Sequence, residues 1–290
     1  MFGLLKRGPD FLIVGAQKAG TSSLESFLSQ HPGIKCAHKK EVGFFSRDQV
    51  YGRGAAWYAQ QFPARAWPGV QLFEATPEYL YYPFVAERIA RFNPRMKLIV
   101  LLRNPVERAF SAWNMFRQMH DDPVIRDRTT KEFIEEANPE AREPLMELLR
   151  RKQFPEFHSC VEDEINALRA GRERAFEPSF VRRGLYLEQL ERLYQHFARE
   201  SILVLESSEL KRDRTAVLNR VLGFLGLPQS EWKQTALQDQ HVRQYDSPMA
   251  ASTRTALQEF FEQPNARLYS AIGRAFDWDG SRVLPGGDAS

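Results

Sequence analysis

The chain is 290 residues long, 43% hydrophobic and 12% aromatic with 21 phenylalanines, enough apolar material for a real core. Its 40 basic and 37 acidic side chains leave a net charge of only +3, which argues against a general nucleic-acid binder and leaves room for a local basic cleft. Two cysteines, Cys36 and Cys160, are too few for a disulfide framework or a thiolate metal site, and no apolar run reaches the length of a membrane helix. The opening MFGLLKRGPD is too short and too polar for a secretory signal, so a full-length chain of this kind is expected in the cytoplasm with its cysteines reduced.

Along the chain, a buried strand is predicted at Phe11–Val14, then a glycine-bounded loop, then a helix over Thr21–Gln30 that buries Leu24, Phe27 and Leu28. Further strands are predicted at Val70–Phe73, Lys97–Leu102 and Ile202–Leu205. Helices are predicted at Phe84–Phe92, stopped by Asn93-Pro94, and from Pro105 onward with Val106, Ala109, Phe110, Trp113 and Phe116 along one side. Residues 120–180 are charged and read as helices with long loops. Helices follow at Gly184–Phe197, Thr215–Leu225 and Ser252–Phe261. Alternating β and α segments favour an α/β fold with a central parallel sheet flanked by helices. No linker divides the chain, so one domain over 1–290 is expected, with 1–9 and 280–290 as loose tails.

Residues 11–22, FLIVGAQKAGTS, describe an anion cradle. The glycines let the backbone curl around a phosphate, and the helix that follows points its unpaired N–H groups at it. Gly15 and Gly20 have the spacing of a nucleotide triphosphatase loop, but position 21, where that loop carries lysine, is Thr21, and the lysine lies inside the loop as Lys18. A second anion site is expected at Leu98–Trp113. There a buried strand ends in Arg103 where a triphosphatase would carry a magnesium-holding aspartate. A strand-end arginine faces the crevice in which α/β proteins bind ligands, and its fork of donors suits a phosphate dianion. Ser111 follows eight residues later, about two helical turns on. The plain alternative is a local ion pair between Arg103 and Glu107.

GAQKAGTSSLESFLSQHP followed by RNPVERAFSAW resembles the P-loop sulfotransferases, enzymes that use 3′-phosphoadenosine 5′-phosphosulfate (PAPS). KEVGFF (Lys40–Phe45), WYAQQFP (Trp57–Pro63), FEATPEYL (Phe73–Leu80) and GRAFDW (Gly273–Trp278) look most like the heparan sulfate N- and 3-O-sulfotransferase branch and its bacterial relatives. His120-Asp121-Asp122-Pro123 is similar to the N-sulfotransferase side. The resemblance implies a P-loop, nucleotide-kinase-like sulfotransferase fold and transfer of a sulfuryl group from PAPS, with no metal required. The acceptor it implies is a hydroxyl, less often an amine, of a glycan, a lipid or another small or carrier-bound molecule.

By position, the resemblance places Lys18 on the bridging oxygen and the transferring group, with Gln17, Ala19, Gly20, Thr21 and Ser22 around the 5′-phosphate. It places Arg103 and Ser111 on the 3′-phosphate, and Arg183 and Tyr186 at the rest of the nucleotide pocket. Glu41 becomes the general base, the alternative being a surface glutamate neutralised by Lys39 or Lys40, and His120 becomes a further catalytic candidate. Glu78 and His38 are weaker candidates for the acceptor cleft. The branch's late disulfide-bounded segment and Lys-Gly-Arg run are missing over His241–Arg254, which carries no cysteine. Two competing functions are a P-loop kinase and a non-catalytic nucleotide-binding relative; the oligomeric state is left open.

Overall fold

The computed structural model describes residues 8–64, 69–172, 178–232 and 247–278. In chain order they form β1 (Phe11–Gly15), α1 (Thr21–Leu28), β2 (Ile34–Cys36), α2 (Asp48–Tyr51), α3 (Gly54–Ala59), β3 (Gln71–Ala75), α4 (Val85–Phe92) and β4 (Lys97–Leu102). There follow α5 (Pro105–Asp121), α6 (Pro123–Thr129), α7 (Pro139–Leu149), α8 (Phe157–Arg169), α9 (Tyr186–Tyr194), β5 (Ile202–Glu206), α10 (Ser207–Arg212), α11 (Arg214–Leu225) and α12 (Ala251–Ile272).

The strands make one all-parallel sheet in the order β2-β3-β1-β4-β5, flanked by helices as an alternating pattern requires. β1 is central and wholly buried, which is why its sequence is a continuous apolar run rather than an alternating one. Its Phe11 stacks on Phe73 of β3 at 4.8 Å between ring centroids. Pairing with β4 runs from Phe11↔Lys97 to Ile13↔Ile99 and then slips, so that Gly15 faces Val100 just where the chain leaves the sheet for the loop. One apolar cluster covers the sheet. A second gathers α5, α7, α8 and the first half of α12, with Val106, Trp113, Val161 and Phe261 among its members.

Three expectations are corrected. β2 was not predicted: three residues, one of them exposed, give too short a pattern to register as a strand. α12 does not stop at Phe261 but continues through Pro264 to Ile272, because Leu268 still packs into the sheet cluster and outweighs the hydrogen bond that proline removes. The tail expected over 1–9 does not take in its last residue, and residues 1–7 lie outside the described residues. Pro9 is buried, and Asp10 bonds Leu72 of β3 twice, its N–H to the carbonyl and its carboxylate to the N–H, each at 2.7 Å. The C-terminal tail from 280 lies outside the described residues. Among the described residues no helix is long and apolar enough to cross a membrane.

Candidate functional site

The loop between β1 and α1 is shaped by close packing below and left-handed backbone above. A Cβ on Gly15 would stand 2.6 Å from Leu80 Cβ, so only glycine lets β1 pass beneath the 77–80 segment. Lys18 (φ 68°) and Gly20 (φ 102°) both take left-handed conformations, curling the chain back toward α1. α1 then starts at Thr21 with no side chain capping it, so its first N–H groups remain available to an anion. The Gln17 amide oxygen is buried without a hydrogen-bond partner. Flipping that amide would put a donor in the same place. The loop therefore fits a phosphate-like group.

Arg103, leaving β4, reaches this loop directly: its Nη1 donates to the Lys18 carbonyl at 3.0 Å. The ion pair with Glu107 does not form, because Glu107 pairs with Arg254 at 2.5 Å. Asn104 caps α5 by accepting from the Val106 N–H at 2.9 Å, and Pro105 opens the helix, which fixes the chain direction just beyond Arg103. Tyr186, at the start of α9, donates its hydroxyl to the Arg103 carbonyl at 2.7 Å, and burial pushes this phenol up to about 12. Ser111 is buried in α5. Arg183 is buried on the tight turn Arg182–Gly184 with its guanidinium 4.0 Å over the Tyr81 ring. A Cβ on Gly184 would meet Phe261 at 2.7 Å and Pro105 at 2.8 Å, so this turn sits hard against the start of α5 and against α12.

On the other side of α1, Lys40 Nζ donates to Ser22 Oγ at 2.5 Å and to Glu41 Oε1 at 3.1 Å. The ion pair expected for a surface glutamate is present, and the same ammonium ties Glu41 to the head of the anion loop. Lys39 instead approaches Glu136 at 3.9 Å. Glu41 itself is held at φ 54°, a left-handed conformation that a residue with a Cβ rarely adopts. Glu25, one turn into α1, is pushed up to about 7 by burial; Lys40 opposes that rise, and Glu41 and Glu74 add to it.

Two candidates lie elsewhere. Glu78 accepts from Ser46 Oγ at 2.5 Å and from Arg47 Nε at 3.2 Å, so its carboxylate is spent on the segment behind Glu41. His120 stands at the far end of α5, fifteen residues from Pro105, or about 22 Å of helix. Its Nδ1 meets Asp121 at 2.7 Å and its Nε2 the Arg151 carbonyl at 2.8 Å, and these bonds raise its pKa. The structure does not bring His120 to the loop. His38 is exposed. Of the segment expected to close over the nucleotide, His241–Arg254, residues 241–246 lie outside the described residues.

Sequence reasoning missed Glu25 and Arg108, and named Lys40 only as a partner for Glu41. Lys40 left a trace in the doublet before Glu41, but its partner Ser22 is 18 positions away. Arg108 sits fully buried inside α5, donating Nη2 to the Phe180 carbonyl while Nε and Nη1 have no partner, and burial lowers it to about 10. A charged residue between Val106 and Phe110 looks like the solvent face of a helix until the turn at 182–184 is packed over it.

The sulfotransferase domain family matches residues 8–262. The membrane-associated sulfotransferase kil1 of Dictyostelium discoideum is 25% identical over 93% of this chain and 66% of its own length. The human bifunctional heparan sulfate N-deacetylase/N-sulfotransferase 3 is 28% identical over 90% of this chain and 29% of its own. The chain thus spans less than two thirds of either relative. A sulfotransferase structure from Alicyclobacillus acidocaldarius superposes with a TM-score of 0.67 at 29% identity, covering 93% of this chain and 98% of that one. With the anion loop, the strand-end arginine that grips it and the all-parallel sheet beneath both lying inside the matched span, the chain belongs to the sulfotransferase family.

Proposed function

We propose that the chain carries a sulfuryl group from PAPS to a hydroxyl, less often an amine, of a glycan, a lipid or another small or carrier-bound acceptor. The observation that carries this reading is the 3.0 Å bond from Arg103 to the Lys18 carbonyl, which couples a strand-end cation to the anion loop. A donor with phosphate at both its 3′ and 5′ positions matches two anion sites joined in this way.

In the step itself the acceptor oxygen bonds to sulfur, the bridging S–O bond breaks, and the 5′-phosphate leaves with the electron pair. Charge builds on that leaving oxygen, where Lys18 and the uncapped N–H groups of α1 supply stabilisation. Glu41, held beside Ser22 through Lys40, takes the acceptor proton. Arg103 and Ser111 hold the 3′-phosphate, and Arg183 and Tyr186 close that end of the pocket. His120 has no part in this reading.

The kinase alternative is less well supported. β4 is followed by Arg103, and the carboxylate paired with its last residue, Leu102, is Glu206 of β5, which is committed to the Ser208 N–H at 2.8 Å, the Glu209 N–H at 3.1 Å and the Trp278 indole at 3.2 Å. A cytoplasmic setting belongs to the same proposal.

The test compares thermal unfolding with adenosine 3′,5′-bisphosphate, with ADP, and with ATP plus magnesium. A ligand at a hundred times its Kd adds about 2.7 kcal/mol of stability. Stabilisation by the bisphosphate alone is the expected result; a response confined to ATP with magnesium replaces this reading with the kinase. Glu41→Gln is expected to abolish transfer while binding the bisphosphate normally, and unimpaired turnover by that variant removes Glu41 from the mechanism.

A further inference from the structure

Beneath Glu41 lies a buried carboxylate that the transfer step does not use. Glu74, on β3, is 1% exposed. Its Oε1 accepts from the Tyr58 hydroxyl at 2.5 Å and the Tyr79 hydroxyl at 2.8 Å, and its Oε2 from Thr76 Oγ1 at 2.7 Å. Burial raises the pKa of this carboxyl, and its hydrogen-bond donors and the nearby Val42 N–H oppose that rise. Two of the three hydroxyls are relays. Thr76 Oγ1 accepts from the Gly43 N–H at 3.4 Å, and the Tyr79 hydroxyl accepts from the Phe45 N–H at 3.3 Å.

The backbone N–H groups of Gly43 and Phe45 therefore both end on Glu74, each through a hydroxyl. The direction of each relay is fixed. A hydroxyl that accepts from a backbone N–H turns its own hydrogen the other way, and an acceptor of such hydrogens is what a carboxylate supplies. Burial raises the pKa of Tyr58 and Tyr79 well above the ordinary phenol value, so both stay donors. Tyr58 differs from the other two: its hydroxyl goes to Glu74, and its contact with the loop is ring stacking on Phe44, 4.1 Å between centroids.

We infer that Glu74 is a positioning residue for the transfer reaction, holding the 42–45 backbone so that Glu41 keeps its left-handed conformation beside the anion loop. The inference rests on the assignment of Glu41 as base. In that role Glu74 acts on the reaction through the Gly43 and Phe45 N–H groups rather than through any contact with substrate. Left to itself, a residue with a Cβ at φ 54° relaxes to the right-handed or extended regions, which turns its side chain away.

Glu74→Gln tests this, because an amide presents N–H₂ at one of the two oxygen positions and sets a donor against a donor. Tyr58→Phe is the comparison, since it removes a hydroxyl from the same carboxylate without touching a backbone N–H of the loop. Three quantities are measured: hydrogen exchange of the peptide 40–46, affinity for adenosine 3′,5′-bisphosphate, and release of that bisphosphate from PAPS with water as acceptor. For Glu74→Gln, exchange at 40–46 is expected to rise at least tenfold and kcat to fall at least tenfold, with affinity within twofold. Tyr58→Phe is expected to lower the unfolding temperature with a much smaller change in kcat. Unchanged exchange and kcat in Glu74→Gln, while Glu41→Gln is inactive, overturns the inference alone. Full turnover by Glu41→Gln overturns instead the base assignment beneath it.

Discussion

Lys18 and Glu25 stand on opposite sides of the start of α1, and they make contrasting predictions. Lys18 occupies a left-handed position that Met fills no better and no worse, so Lys18→Met tests charge alone. Loss of one preorganised charge at a developing oxyanion costs about a hundred- to a thousandfold in kcat, and steady-state turnover of PAPS should show it; a loss below tenfold assigns the leaving group to another residue. Glu25 bears on stability. Its folded pKa, about 7, lies above the ordinary 4.5, so ionisation is resisted in the folded protein. Its full contribution is present below about pH 4.5 and is lost as pH rises through 7. Glu25→Gln cannot ionise, so its unfolding temperature should match the parent near pH 4.5 and exceed it increasingly toward pH 8, by up to about 3 kcal/mol of stability. Equal melting curves at pH 8 refute this. The sequence exposed Lys18 through its flanking glycines, but it gave no hint of Glu25, whose neighbours Lys40, Glu41 and Glu74 are distant in the chain.

Among the elements, legibility followed contiguity. β1, β4 and the start of α5 were readable because a buried parallel strand is an unbroken apolar run and because Pro105 opens a helix. β2 was invisible at three residues, and Pro264 hid the second half of α12. The turn at Arg182–Gly184 was legible only as the motif RRGLY, and its packing supplies the reason for the glycine. Gly184→Ala drives a methyl into Phe261 and Pro105, contacts of 2.7 and 2.8 Å, one of them a ring held in the second apolar cluster. Overpacking of this kind costs about 1 to 3 kcal/mol, measurable as a lower denaturant midpoint. Because the displaced turn carries Arg183, bisphosphate affinity should fall with it; a variant as stable as the parent shows that the turn yields easily.

At the scale of the whole molecule, the two anion sites proposed on neighbouring strands would measure a ligand by the spacing of its charges. Adenosine 3′,5′-bisphosphate is expected to bind at least a hundredfold tighter than AMP, because the proposal gives the 3′-phosphate charge-assisted bonds to Arg103. Isothermal titration of both decides it, and equal affinities would remove Arg103 from recognition. The sheet and its parallel direction could be read from the sequence, whereas the join between its carboxyl edge and the far end of the chain could not. That join is Trp278. Its carbonyl accepts from Asn104 Nδ2 at 2.5 Å, its indole donates to Glu206, and its ring lies 5.8 Å from that of Tyr186. Asn104 follows Arg103, and Tyr186 bonds its carbonyl, so residue 278 braces the arginine from both sides. For a protein made from its N-terminus onward this imposes an order on biosynthesis. The anion loop is translated well before Trp278, so Arg103 gains this support only once residue 278 has been made. A polypeptide that stops short of Trp278 therefore carries the loop without a braced Arg103.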